Sequence, residues 1–81
     1  MTAYDWSISR QATERFLQCK ATERRKLLDH FDGLAANVHN EPTTAFSAPD
    51  GTKFSLSSLG NRVITYHVDH AVKQVHIIAL E

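Results

Sequence analysis

Residues 62–81 read RVITYHVDHAVKQVHIIALE, two apolar alternating runs joined by a short polar turn. A period of two residues is the spacing of strands that bury one face. It predicts one strand from Arg62 to Asp69 and another from Gln74 to Leu80, joined through His70, Ala71, Val72 and Lys73. Setting Val68 against Val75 places Tyr66 opposite Ile77 and Ile64 opposite Ala79, so that all six share one face of an antiparallel pair. That face is the expected core. On the other face the same register opposes His67 to His76, beside Thr65 and Ile78.

Upstream, Pro49-Asp50-Gly51 lies between two runs of β character. Proline presets φ at the second turn position, aspartate tolerates the third, and glycine accepts positive φ, so a hairpin is predicted there. Its second arm alternates Lys53, Ser55 and Ser57 on one face with Phe54 and Leu56 on the other. Gly60-Asn61 makes the next turn.

At the other end of the chain, Tyr4, Trp6 and Ile8 alternate with Asp5 and Ser7, a short first strand. Ser9 is placed to cap a helix in which Ala12, Phe16 and Cys19 recur at helical spacing as far as Lys20. Thr22 is the next cap candidate, with Glu23 in a first turn where a negative charge suits the helix dipole. From Glu23 to Asn37 a stripe of Leu27, Leu28, Phe31, Leu34 and Ala35 predicts an amphipathic helix. Gly33 is expected to let it fray or bend, and His39-Asn40-Glu41-Pro42 to end it.

The elements add up to an α+β fold. A short N-terminal strand precedes two helices packed on one face of an antiparallel sheet, in the order β-α-α-β-β-β, with an extra hairpin arm at residues 43–58.

The 81 residues suit one domain, 1–81, with a core near the size where burial only just offsets chain entropy. No apolar run reaches the roughly 20 residues that span a bilayer, and the first ten residues lack the apolar stretch of a secretory signal. A cytoplasmic protein with no membrane partner is expected. Cys19 is the sole cysteine, which excludes an internal disulfide, and it reads as a small apolar residue rather than a reactive thiol.

Nine basic and nine acidic residues leave a net charge of zero, which argues against nonspecific nucleic-acid binding as the main activity. The distribution is uneven. Arg10, Arg15, Lys20, Arg24, Arg25 and Lys26 fall in one stretch against only Glu14 and Glu23. The stretch reads first as a solvated helical face and second as a surface for phosphates or an acidic partner.

His67 and His76 carry the chemistry-bearing pattern of the sheet. Two cross-strand imidazoles fall short of the three or four ligands of a zinc site, and the nearby donors, His70 and Asp69, lie at the turn, so no metal is assigned. Thr65 is the one hydroxyl expected on their face, and no nucleophilic triad is legible. The plain reading is a pair of polar side chains on a solvent-exposed or partner-covered sheet. Adjacent imidazoles are expected to titrate as a coupled pair. His30 and His39 carry no signal.

With this order of elements, LGNRVITYHVDHAVKQVHIIAL, residues 59–80, resembles the C-terminal sheet of the RelE/ParE toxin superfamily. Members show a glycine, an aromatic, an arginine, an apolar strand with tyrosine, a polar hairpin with aspartate and a final apolar strand. The helix pair and first strand are similar as well. The resemblance implies the toxin half of a type II toxin–antitoxin pair, bound by a cognate antitoxin.

In the RelE-like branch it implies a metal-independent, ribosome-dependent mRNA endonuclease without cofactor. Such a site directs the ribose 2′-hydroxyl onto its own phosphate, with basic residues neutralising charge and a tyrosine, histidine or glutamate handling protons. The ParE-like branch inhibits DNA gyrase. Lys53 matches a lysine of the preceding strand and Arg62 the central arginine. RVITY separates arginine and tyrosine by three residues where the family has two, which turns Arg62 to the opposite face unless a bulge absorbs the slip.

Cleaving members continue past the last strand with a basic or histidine-containing segment and an aromatic, whereas this sequence stops at Leu80-Glu81. The expected site residues are therefore Arg62, Lys53, His67 and His76. The alternative reading is a noncatalytic interaction module of the same fold, a homodimer paired through its sheet edges.

Overall fold

The computed structural model describes residues 4–38 and 44–81. Strand β1 (Asp5–Ile8) leads into helices α1 (Arg10–Leu17) and α2 (Ala21–Ala36), followed by strands β2 (Thr44–Ser47), β3 (Lys53–Leu59), β4 (Arg62–Asp69) and β5 (Gln74–Leu80). The sheet order is β1-β5-β4-β3-β2, antiparallel except for β1, which joins β5 in parallel. A parallel neighbour requires a long crossover, and the two helices with the strands after them supply it.

Both helices cover one face of the sheet. Ala12, Leu27, Phe31 and Ala35 meet Ile64, Tyr66, Val75, Ile77 and Leu80 in a single core. The Phe31 ring stands edge-on to Trp6 at 5.1 Å. On the indole's polar side, Trp6 Nε1–H donates to Asp32 Oδ1 at 2.8 Å, tying α2 to β1.

Tyr66 faces Ile77 and Val68 faces Val75 as the sequence pattern requires, but Ile64 pairs with Leu80 and not with Ala79. A β-bulge between Thr65 and Tyr66 leaves Ile78 without an opposite residue, which moves Ala79 to Thr65 and turns Leu80 inward. Ser9 fastens the irregularity. Its hydroxyl donates to the Ile78 carbonyl at 2.6 Å while accepting the Ala12 N–H at 3.2 Å as the cap of α1.

Helix α1 ends at Leu17 rather than Lys20, because Gln18 N–H and Cys19 N–H close a tight turn onto the Arg15 and Phe16 carbonyls. Helix α2 then starts at Ala21 with Lys20 as its cap position, not at Thr22, since the Lys20 carbonyl already accepts Arg24 N–H. Arg24 Nη1 also donates to the Cys19 carbonyl at 3.2 Å. Gly33 does not interrupt α2; Asn37 closes its end through the Gly33 carbonyl. The expected stop at 39–42 lies outside the described residues.

The hairpin arm forms as predicted from Thr44 onward; residue 43 lies outside the described residues. Gly51 N–H donates to the Ala48 carbonyl at 2.9 Å, and Gly51 has φ +91°. Gly60, at φ +60°, opens the two-residue turn between β3 and β4. No helix among the described residues is long and apolar enough to cross a membrane.

Candidate functional site

Alternation along β4 and β5 sends His67 and His76 to the face that neither helix covers, where they are direct cross-strand partners. Their rings are nearly parallel, with centroids 6.2 Å apart and planes 12° apart. The Lys53 carbonyl lies 2.9 Å from His67 Nδ1 and can only accept, so Nδ1 carries the proton and Nε2 holds the lone pair of the neutral ring. The Phe54 ring lies 6.1 Å from His67 and stacks in turn on Phe46.

Ser7 completes the group: its hydroxyl is 2.8 Å from His76 Nδ1. The parallel pairing of β1 makes this contact, with Ser7 opposite His76. Alternation with Trp6 was signal enough to turn Ser7 away from the core, but nothing in the sequence showed which strand β1 would join. The cluster offers two imidazoles, one hydroxyl and two phenylalanine rings on an open surface. It suits proton transfer and stacking of planar groups.

Arg62 stands elsewhere. It shares the covered side of β4 with Ile64 and Tyr66, and its Nε and Nη2 donate to the two carboxylate oxygens of Glu23 on α2, at 3.3 and 3.2 Å. The hydrogen bonds from Arg62 hold the Glu23 carboxyl below its usual range, and Glu23 raises the guanidinium in return. Five residues of strand, about 17 Å, separate Arg62 from His67.

Lys53 is exposed and reaches the histidines only through its backbone carbonyl. Its side chain borders a groove of about 580 Å³ between the end of α2 and the start of β3, together with Leu34, Val38, Tyr66 and His70. His67 lines the same groove, so the structure brings His67 and His76 together, sets Lys53 beside His67 and leaves Arg62 apart from them.

Other titratable groups tie elements together. His30 Nε2 lies 2.7 Å from the Ser57 hydroxyl, a link from α2 to β3 that its place in the sequence did not signal, and burial lowers its affinity for a proton. Burial pushes the Cys19 thiol up, and a hydrogen bond with Glu23 adds to the shift, so this buried sulfur is a weak nucleophile. Among the described residues no group of three or more histidine, cysteine or acidic side chains is arranged to hold a metal.

No family model matches the sequence, and the search of curated proteins returns no match. Solved structures do match. The archaeal RelE–RelB complex from Pyrococcus horikoshii OT3 aligns at TM-score 0.80 and 17% identity, over 99% of this chain and 94% of the other. The toxin–antitoxin complex RelBE2 from Mycobacterium tuberculosis aligns at 0.78 and 13% identity, over 100% and 92%. The isolated E. coli RelE toxin aligns at 0.78 and 18%, over 96% and 82%. Over nearly its whole length, this chain shares the α+β fold of these RelE structures.

Proposed function

We propose that this chain is the toxin component of a type II toxin–antitoxin pair, held inactive in the cytoplasm by a cognate antitoxin. The observation that carries the reading is a fold shared over nearly the whole chain with RelE toxins, two of them solved in toxin–antitoxin complexes. The activity proposed is metal-independent cleavage of mRNA on the ribosome. The 2′-oxygen attacks the adjacent phosphorus and the bond to the 5′-oxygen breaks; one histidine of the His67–His76 pair takes the 2′-proton and the other, protonated, supplies one to the 5′-oxygen. The Lys53 ammonium is assigned to the substrate's phosphates beside His67, and Arg62, on the covered side of β4, to a more distant phosphate of the RNA once it leaves Glu23.

A cell-free translation reaction with purified protein, its mRNA followed by primer extension, tests this. Cuts at A-site codons that vanish in His67→Ala and His76→Ala are the expected result. Loss of the cuts in Arg62→Ala as well assigns that guanidinium to the phosphate; their survival leaves Arg62 as a structural tie between α2 and β4.

Two observations favour a second reading, a noncatalytic member of the same fold. Arg62, the best match to the family's central arginine, is already occupied by Glu23, and the net charge of zero is low for a protein that holds RNA phosphates. Intact mRNA in the same reaction removes the cleaving branch and leaves gyrase inhibition or this reading, and a concentration-dependent melting temperature then identifies a homodimer.

A further inference from the structure

The hydrogen bonds of the histidine pair run outward to opposite strands. His67 Nδ1 meets the Lys53 carbonyl of β3 at 2.9 Å, and His76 Nδ1 meets the Ser7 hydroxyl of β1 at 2.8 Å. In the sheet order these two partners flank the pair, one on each side. Among the described residues no hydrogen bond engages either Nε2. The carbonyl fixes the His67 proton on Nδ1, and the Ser7 hydroxyl, which can accept as well as donate, permits the same tautomer in His76. Two Nε2 lone pairs are then offered from directly opposed residues of neighbouring strands.

Two other histidines are held differently. His30 spends its Nε2 on Ser57 between helix and sheet, and His70 lies at the turn with its Nδ1 2.8 Å from the Tyr4 hydroxyl.

An Nδ1 tied to a carbonyl or hydroxyl, with Nε2 left open, is how proteins orient a histidine that ligates a metal: the outer bond fixes the ring and raises the basicity of the ligating nitrogen. The spacing agrees. With a nitrogen–metal bond of about 2.1 Å and a ring centre about 1.1 Å behind the nitrogen, two imidazoles on one ion have centroids about 5.2 Å apart at a tetrahedral angle and about 6.4 Å apart when opposed. The observed 6.2 Å falls inside that range, and small side-chain rotations close it further. No third protein ligand is arranged beside them among the described residues, so water fills the remaining positions and the ion exchanges readily.

We propose that His67 and His76 form an exchangeable two-imidazole site for a late first-row divalent ion such as Zn²⁺. Imidazole nitrogen suits zinc, copper and nickel, whereas magnesium keeps to oxygen ligands. The bound ion takes both lone pairs. Its consequence, though not the site, rests on the cleavage reading: the ion withholds the base that would accept the 2′-proton, so metal inhibits a reaction that proceeds without it.

The test is calorimetric titration of zinc chloride into the full, metal-stripped chain slightly above neutral pH, with magnesium chloride as control. One zinc ion per chain is expected, with no binding of magnesium. His67→Ala and His76→Ala are each expected to weaken zinc by more than about tenfold, and Ser7→Ala by about tenfold through the loss of its outer hydrogen bond. Far-UV circular dichroism is expected to stay unchanged in all three. In nitrogen-detected spectra of the parent chain the imidazole resonances of His67 and His76 are expected to shift together.

Unchanged affinity in either histidine variant, equal binding of zinc and magnesium, or imidazole shifts confined to His30, His39 or His70 would each overturn the proposal. Zinc bound at this pair by a chain that leaves mRNA intact in the translation reaction upholds the site and removes the cleavage reading. Cuts at A-site codons by a chain that binds no zinc overturn the site and leave the toxin reading standing.

Discussion

On the helix-covered face of the sheet Ile64, Val75, Ile77 and Leu80 are shielded almost completely, while Val63 and Ile78, one residue away on the same strands, are 43% and 38% exposed. The covered face is filled with interlocking aliphatic and aromatic groups, and an ion pair, Arg62 with Glu23, sits at its rim. The open face carries two stacked histidines, a serine and stacked phenylalanines. Side chains on the covered face are constrained by packing, whereas those on the open face are available for chemistry at little cost to stability.

Two adjacent isoleucines test this contrast most directly. Ile77→Ala removes a fully buried side chain and is expected to cost about 2–5 kcal/mol in denaturant unfolding, whereas Ile78→Ala, across the bulge, is expected to cost less than about 1 kcal/mol. Equal costs would mean that the open face is also packed. Gly60→Ala comes next. Its φ of +60° strains a Cβ although space is free, and about 1 kcal/mol is expected, read from the same unfolding curves.

The rim pair responds to pH. Arg62 lowers the Glu23 pKa in the folded protein below its ordinary 4.5, so the unfolded chain takes up that proton first as pH falls. The pair's stabilisation is complete above that value and is lost as pH drops through the lowered one. Arg62→Ala is therefore expected to lower the melting temperature modestly near neutral pH, with the gap to the parent protein closing in acid. A gap that does not change with pH would show that the ion pair is not its source.

The smallest effect on stability belongs to the open face. His67→Ala and His76→Ala are expected to shift unfolding by less than about 0.5 kcal/mol, since neither side chain helps fill the core. In the same proteins the loss of mRNA cleavage would be the largest functional effect. A large loss of stability in either variant would recast the stacked imidazoles as a structural element.

Much of this arrangement was legible from local pattern. Alternation in residues 62–81 opposed His67 to His76 on the outer face because a tight turn carries register forward with a period of two, and Val68, Val75, Tyr66 and Ile77 fell where expected. Pro49-Asp50-Gly51, Gly60-Asn61 and Ser9 were readable for the same reason: backbone conformation and capping depend on the residue itself and its next few neighbours.

What lay beyond reach was set by contacts across the chain. The bulge at Ile78 is bonded by a hydroxyl 69 residues away, the Ser7–His76 contact spans 69 residues, and the Arg62–Glu23 pair spans 39. By itself the sequence determined the elements, the turns and which face of the last hairpin carries its histidines. Only the tertiary structure decided that Ser7 would join them and that Arg62 would be drawn to the helices, because partners so far apart are chosen by how the whole core packs and not by any local preference.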